Sequence, residues 1–215
     1  MSFSSKIDEA RLTVLLDMRQ PLAYLALHPT IEFGRKEGID INWLPVRVPA
    51  LKAPMPLGPD EDRGVRHRRF RVDEIVREIE TYSHAQGLVL REYHRDPDPS
   101  AASLGWLWVR EHAPQRVAEY LTEIFRAYWA VEFDPADEKS VAEKIAALDL
   151  DVAHFEAWQR DLGLATLAGL EEEILDRGMA VGAPVYWIDG ELFWGGQHLE
   201  MIRWMLAGGK GRGPI

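Results

Sequence analysis

An arginine and a histidine, each at a change of sequence pattern, have side chains that could act on a small molecule. Arg19 lies between a strand pattern and a helix pattern, and its guanidinium could bind a substrate carboxylate or form a surface salt bridge. His198 follows two glycines near the end of the chain, and its imidazole could act as an acid or a base. The alternative for His198 is an exposed residue at the start of the last helix. Both pairs of alternatives are open at this level.

The residue counts exclude several kinds of chemistry. The chain has 215 residues and no cysteine, which rules out disulfides, a cysteine nucleophile and thiolate metal sites. Its seven histidines are scattered without metal-ligand spacing, so we predict no metal. The net charge of −10 argues against nucleic acid as a partner, because nucleic acid requires clustered positive charge. A basic run at 63–71, beside acidic residues at 60–62, indicates a solvated helix start or loop, or else an anion site.

The hydrophobic pattern also predicts where the protein is located. The first eleven residues are polar and lack the apolar stretch of a signal peptide. No apolar run approaches the roughly 20 residues that are needed to cross a bilayer. We therefore predict a cytoplasmic protein that has no membrane partner.

The strongest local signal is a proline followed by a β-hairpin. Two short, aromatic-rich runs flank the pair Asp189-Gly190, which is typical of a two-residue hairpin turn. Pro184 begins the first run, where its missing N–H disturbs a sheet least. The glycines at 195 and 196 then open the last helix. The pattern predicts strand, tight turn, strand and helix in that order.

The N-terminal region has the pattern of a βαβ unit. Residues 12–17 form a nearly continuous apolar run, typical of a strand that is buried on both faces. A helix begins at Pro21 and ends at Gly38, and Pro29 predicts a kink or a short break within it. A second strand is predicted over 39–48, parallel to the first.

Only helical patterns are convincing between these two ends. Helix starts are indicated at Pro114 and Asp151, with cap-plus-proline signals at 98–99 and 134–135, and Gly178 closes the block. Each end of the chain is too small to bury a core alone, so the two should share one sheet. The sequence therefore predicts an α/β, thioredoxin-like fold (βαβ, then ββα) formed by residues 1–58 and 179–215, with an inserted all-helical domain over 59–178.

Several of these motifs, in the same order, resemble the 2-hydroxychromene-2-carboxylate isomerase family, which groups with kappa-class glutathione transferases among DsbA-like proteins. The resemblance extends from residue 12 to residue 206. It is carried by the C-terminal segments 181–184 and 190–195, the first strand-to-helix turn at 17–26, and the helical segments 125–129 and 133–137.

The resemblance implies a glutathione-dependent isomerase or transferase that acts on an aromatic, electrophilic small molecule. It also implies a cis proline at Pro184, and it implies that Ala183 and Pro184 contact the cysteinyl part of glutathione. Family members are commonly homodimers. The alternative is a non-catalytic relative that binds a peptide, a small aromatic ligand or a partner protein in the same cleft.

Two positions differ from the family pattern. Relatives carry a serine where this chain has Gln20, at the catalytic position; an amide cannot ionise, but it can donate a hydrogen bond to a sulfur. The alternative is that Gln20 is a partly exposed residue of the first turn. At the last helix, relatives place an acidic and then a basic residue where this chain has Gly196, Gln197 and His198. Bare helix N–H groups and the Gln197 amide could still hold a glutathione carboxylate.

Overall fold

A mixed four-stranded sheet forms the centre of the protein. The computed structural model describes residues 6–53 and 63–214. The sheet order is β2-β1-β3-β4, in which β1 is parallel to β2 and antiparallel to β3, and β3 is antiparallel to β4. The strands are β1 (Leu12–Leu16), β2 (Ile41–Pro45), β3 (Val185–Ile188) and β4 (Glu191–Trp194).

The apolar pattern of each strand matches its place in the sheet. All five residues of β1 are buried, as expected for a central strand covered on both faces. Strand β4 lies at the edge and is partly exposed. The turn between β3 and β4 has Asp189 at φ 50° and Gly190 at φ 87°, and a two-residue type I′ turn requires positive φ at both positions. The predicted hairpin is confirmed.

Helices pack against the sheet, and the described chain between strands β2 and β3 is mainly helical. Helix α1 connects the parallel strands, and α8 packs beside it after the hairpin. Short 3₁₀ turns at Pro114–Arg116 and Gly196–His198 and a π turn at Gln159–Gly163 adjoin the α-helices. The α-helices are α1 (Pro21–Glu37), α2 (Arg63–Gln86), α3 (Ser100–His112), α4 (Val117–Trp129), α5 (Glu138–Ala146), α6 (Val152–Trp158), α7 (Leu164–Asp176) and α8 (Leu199–Leu206).

The sheet and the helical block share one hydrophobic core. Buried residues of the strands and of α3, α4 and α7 belong to a single cluster. Trp106 on α3 lies in it and donates its indole N–H to the Trp43 carbonyl on β2, at 3.1 Å. The βαβ and ββα ends therefore form one sheet, and the predicted thioredoxin-like fold with a helical insertion is confirmed. The division at residues 58 and 178 stays a prediction.

Three local predictions differ from the structure. The second strand is shorter than 39–48, because the N–H of Val48 is bonded to the Asp17 carboxylate instead of a neighbouring strand. Helix α1 continues through Pro29 without a break. The proline leaves the Leu25 carbonyl without its helical donor, and the side-chain amide of Gln86 supplies one at 3.2 Å. Helix α5 starts after Asp137, which caps it, and not at the 134–135 pair.

Some predictions concern residues or properties that the described structure does not cover. Helix α2 begins at Arg63 in the described part, whereas the acidic residues 60–62 and part of the preceding loop, 54–62, lie outside it. Among the described residues no helix is long and apolar enough to cross a membrane. The cytoplasmic location and the homodimer stay predictions.

Glu123 links α4 to α5 and gives the fold a measurable pH dependence. It accepts hydrogen bonds from Arg126 and from Lys144, the latter at 2.7 Å, and these lower its pKa to about 2. Because the pKa of Glu123 is lower in the folded protein than in the unfolded chain, its ionised carboxylate stabilises the fold at pH values above the ordinary glutamate pKa. This contribution is lost as the pH falls from about 5 to about 2. Because the side chain is 41% exposed, the free energy involved is below about 1 kcal/mol.

We expect Glu123→Gln to lower the melting temperature slightly at neutral pH, and the difference from wild type to narrow as the pH approaches 2. Thermal denaturation followed by circular dichroism from pH 7 to pH 2 measures it. Glu172→Gln, on the exposed face of α7, is the control and should follow wild type throughout. A difference that stays constant over this range would contradict the assignment.

Candidate functional site

The strands bring the predicted site residues to one edge of the sheet. Leu15 pairs with Val185, so the chain beyond β1, which leads to Gln20, and the chain before β3, which contains Ala183, lie at the same edge. The Pro184 carbonyl accepts the Gly195 N–H at 2.9 Å, which brings the end of β4 there as well. The residues that the family resemblance implied therefore lie along one edge of the sheet.

Ala183 offers an unused backbone edge. The Ala183-Pro184 peptide bond is cis, and both residues are buried. In the described part of the chain, neither the N–H nor the carbonyl of Ala183 forms a hydrogen bond. Buried backbone groups almost always have partners, and an extended peptide can supply them. Ala183 therefore has a backbone N–H and a carbonyl that are available to a ligand.

Gln20 precedes α1 at its N-cap position and is half-buried. Its side chain does not cap the helix; its amide N–H donates to the Pro49 carbonyl at 2.7 Å. One amide hydrogen and the amide oxygen are left for a ligand. Pro21 has no N–H, and within the described residues the N–H of Leu22 has no acceptor. The start of α1 thus presents a free donor where the helix dipole favours negative charge.

Arg19 is buried and committed to the protein. It is 2% exposed, so the predicted surface salt bridge is wrong. Its guanidinium donates to both carboxylate oxygens of Asp17, to Asp96 and to the Val48 carbonyl. Burial opposes its charge, but the hydrogen bonds and charges of the two aspartates prevail, so the pKa of Arg19 lies above its ordinary value. With these donors engaged, Arg19 positions the site rather than binding a substrate carboxylate.

The Asp17 carboxylate is the partner that sequence reasoning missed. It accepts the backbone N–H groups of Arg19 and Val48, at 2.9 and 3.0 Å, besides the Arg19 guanidinium. It thereby joins the end of β1 to the chain that follows β2. The sequence does contain a signal for this pairing, because Asp17 directly follows a strand that is apolar on both faces. A carboxylate in such a buried position needs a charged or hydrogen-bonding partner.

His94 is a second residue that the pattern did not single out. Its Nδ1 donates to the Leu51 carbonyl at 3.1 Å, which leaves Nε2 as a hydrogen-bond acceptor. Leu51 lies two residues after Pro49, the residue that Gln20 binds, and Asp96, which pairs with Arg19, lies two residues after His94. An imidazole therefore adjoins the segment beside Gln20. No spacing in the sequence could reveal this, because the contact joins distant loops.

The residues before α8 lie at the other end of this edge. Gly196 is in a 3₁₀ turn, and a Cβ on it would be 3.3 Å from the Ala26 Cβ, so the turn packs closely on α1. Gln197 is exposed and donates to the Trp194 carbonyl at 3.1 Å. His198 is half-buried against Phe193, with ring centroids 5.4 Å apart. It lies just before α8, as the alternative interpretation predicted, but it is less exposed than that interpretation predicted.

The fold and this edge define a thioredoxin-like protein with a cis proline directly before strand β3. The chain belongs to the DSBA-like thioredoxin domain family, which matches residues 14–207. The predicted membership of the DsbA-like group is therefore confirmed. No curated protein matches the chain.

Solved structures share the fold at low sequence identity. A 2-hydroxychromene-2-carboxylate isomerase is 19% identical, with a TM-score of 0.69 over 91% of this chain and 94% of its own. A probable DsbA oxidoreductase from Streptomyces coelicolor is 16% identical, with a TM-score of 0.66 over 96% and 94%. A cytosolic disulfide reductase, DsbM from Pseudomonas aeruginosa, solved with GSH, is 20% identical, with a TM-score of 0.55 over 91% and 95%.

Removing the Asp17 charge should destabilise the whole edge. We expect Asp17→Asn to lower the free energy of unfolding by about 3–5 kcal/mol, because the buried Arg19 loses its main partner and the amide meets donors on both sides. Urea denaturation measures this. Asp176→Asn, at the exposed end of α7, should change it by less than about 0.5 kcal/mol. A loss below about 1 kcal/mol in Asp17→Asn would show that the pair does not hold the edge.

Proposed function

We propose that this chain binds glutathione at the sheet edge and acts as a glutathione-dependent isomerase or transferase on an aromatic, electrophilic small molecule. The observation that carries the proposal is the unpaired N–H and carbonyl of buried Ala183, at the same edge as the start of α1. These two groups match the donor and acceptor of a cysteinyl residue in an extended peptide.

The start of α1 fits the thiol end of such a ligand. Glutathione, when bound, supplies a thiol nucleophile, and this chain has no cysteine of its own. The free N–H of Leu22 and the positive end of the α1 dipole favour a negatively charged sulfur. Gln20 can donate its remaining amide hydrogen to that sulfur, although it cannot ionise. The imidazole of His94 binds the same loop as Gln20, and its Nε2 is the ring atom left to accept a hydrogen bond.

The turn before α8 fits the γ-glutamyl end. Within residues 6–53 and 63–214, the backbone N–H groups of Gly196 and Gln197 are not bonded outside their own turn, and such groups hold a carboxylate well. The Gln197 side chain donates to the Trp194 carbonyl, which leaves its amide oxygen as an acceptor for an ammonium group. Neutral groups thus replace the acidic and basic residues of the family, so we expect weaker binding at this end.

Two of the similar structures are consistent with this proposal. One is described as a 2-hydroxychromene-2-carboxylate isomerase, and the DsbM reductase is described with GSH. Disulfide exchange, which the names of other neighbours suggest, is not proposed here, because this chain has no thiol to exchange.

A specific contact favours the second candidate, a non-catalytic protein that binds a peptide, a small aromatic ligand or a partner in the same cleft. Gln20 already donates to the Pro49 carbonyl, so the catalytic position serves to hold the loop after β2. A ligand would then bind through the Ala183 backbone without being activated. The two candidates differ in whether Gln20 affects the reactivity of a bound thiol.

We expect glutathione at ten times its dissociation constant to stabilise the protein by about 1.4 kcal/mol, which raises the melting temperature by roughly 3–6 °C. Gln20→Ala should weaken binding by roughly 3- to 10-fold, because about one hydrogen bond to the sulfur is lost. Gln20→Ser should retain binding. Isothermal titration with glutathione measures the affinities, and chlorodinitrobenzene conjugation measures the transferase rate.

Gln115→Ala, in the Pro114–Arg116 turn of the helical block, is the matched control and should leave the affinity unchanged. If millimolar glutathione leaves the wild-type melting temperature unchanged, the glutathione proposal is wrong. If glutathione binds but wild type and Gln20→Ala conjugate at the same background rate, the non-catalytic candidate is correct. A crystal soaked with glutathione would show whether the tripeptide pairs with Ala183.

A further inference from the structure

Helix α2 is attached to the rest of the protein mainly through its last turns. It has 24 residues and is therefore about 36 Å long. Its main contact is with α1, where the Gln86 side chain donates to the Leu25 carbonyl at 3.2 Å. Of the α2 side chains that the structure describes, only Ile79 and Ser83 are buried. The described side chains from 63 to 78 are thus all partly or fully exposed.

One face of these turns is exposed and carries charges of both signs. Residues three and four positions apart share a face of a helix. The exposed residues at this spacing, here called the α2 face, are Arg63, His67, Phe70, Arg71, Glu74 and Glu78. The first half of the α2 face is basic and the second half is acidic, so the two signs are separated along the helix.

The charges of the α2 face have no partners within the chain. In the part of the chain that the structure describes, its charged residues form no ion pair. Glu74 and Glu78 are like charges four residues apart, a spacing that destabilises a helix. Arg71 precedes Glu74 by three residues, and the two side chains are not paired. Opposite charges from another molecule would relieve the repulsion and match both halves of the face.

Phe70 lies between the basic and the acidic half. Its side chain is 57% exposed, and the guanidinium of Arg69 lies 6.0 Å from the ring centroid. A single exposed aromatic ring is common on protein surfaces and does not by itself indicate a partner. Here the ring is at the middle of a face whose two ends carry opposite charge. An apolar centre within a charged rim is typical of protein–protein interfaces.

We propose that the α2 face is a docking surface for a second copy of this chain, with the two α2 helices antiparallel about a twofold axis. A face that is basic at one end and acidic at the other is complementary to itself in this orientation. An axis between residues 72 and 73 places Arg71 opposite Glu74 of the second copy. The same register places His67 opposite Glu78. The two Phe70 residues are then about 7.5 Å apart along the helix direction, within reach of each other's rings.

The charge pattern favours this occupant over others. A parallel arrangement of the two helices would set Arg71 against Arg71 and Glu74 against Glu74, which is repulsive. A purely acidic partner would match the basic half but would leave Glu74 and Glu78 facing like charges. The α2 face includes no residue of the sheet edge, so this pairing does not depend on glutathione binding.

The test is sedimentation velocity of the full chain over a dilution series, at low and at high ionic strength. We expect a monomer–dimer equilibrium that shifts toward monomer at high salt, because exposed charge pairs are screened. Arg71→Glu and Glu74→Arg should each weaken the dimer by about tenfold or more, because each places like charges opposite one another at two symmetric positions. Phe70→Ala should weaken it by roughly 3- to 10-fold, since the apolar centre is lost.

Mixing the two charge-reversed variants separates a docking role from a general effect on folding. The Arg71→Glu variant has only acidic residues beside the axis and the Glu74→Arg variant only basic ones. An equimolar mixture should therefore form a heterodimer about as tightly as wild type dimerises, although each variant alone is largely monomeric. Circular dichroism checks that both variants keep their helix content.

Glu80→Arg is the matched control, because it makes the same change of charge at an exposed residue on a different side of α2. It should dimerise as wild type does. The proposal is overturned if wild type stays monomeric over the whole series, if either charge reversal leaves the dimer unchanged, or if the mixture forms no heterodimer.

Discussion

The buried Asp17–Arg19 pair is the interaction on which the arrangement of the sheet edge depends. The two side chains are 1% and 3% exposed, and a buried ion pair is tolerated only when its remaining hydrogen-bonding groups are satisfied. That requirement is met from three separate segments: the turn after β1, Val48 after β2, and Asp96 before α3. Each segment is consequently fixed relative to the others. The N-terminus of α1 is the element that they hold against the cis-proline side of the sheet.

The elements of the fold could be predicted because their signals are local. Asp189-Gly190 specifies its own turn, and the continuous apolar run of β1 specifies a central strand whatever covers it. Two of the three errors occur where a distant side chain decides the outcome, whereas the start of α5 is decided by the local cap Asp137. Helix α1 passes through Pro29 because Gln86, sixty-one residues after Leu25, donates to the Leu25 carbonyl that the proline leaves free. Strand β2 ends early because the Asp17 carboxylate takes the N–H of Val48.

The positions of the candidate site that contribute backbone groups could be predicted from the sequence. Ala183, Pro184 and Gly196 reach the same edge through strand register, which depends on hydrophobic pattern and turn length. Arg19 was interpreted as a surface or substrate residue because the sequence cannot show that Asp96 and Val48 cover it. His94 was passed over for the same reason. Its relation to Gln20 exists only through the loop at Pro49 and Leu51.

The proposed binding through backbone groups is compatible with a glutamine where relatives carry a serine. A ligand bound through the Ala183 N–H and carbonyl would need no particular side chain at position 20, so a substitution there could change reactivity without removing the binding edge. Among the described residues, the first turn of α1 has one free donor, the N–H of Leu22, beside the Gln20 amide. The Asp17–Arg19 pair fixes this turn to the chain after β2 through Val48, so its position does not depend on the side chain at position 20.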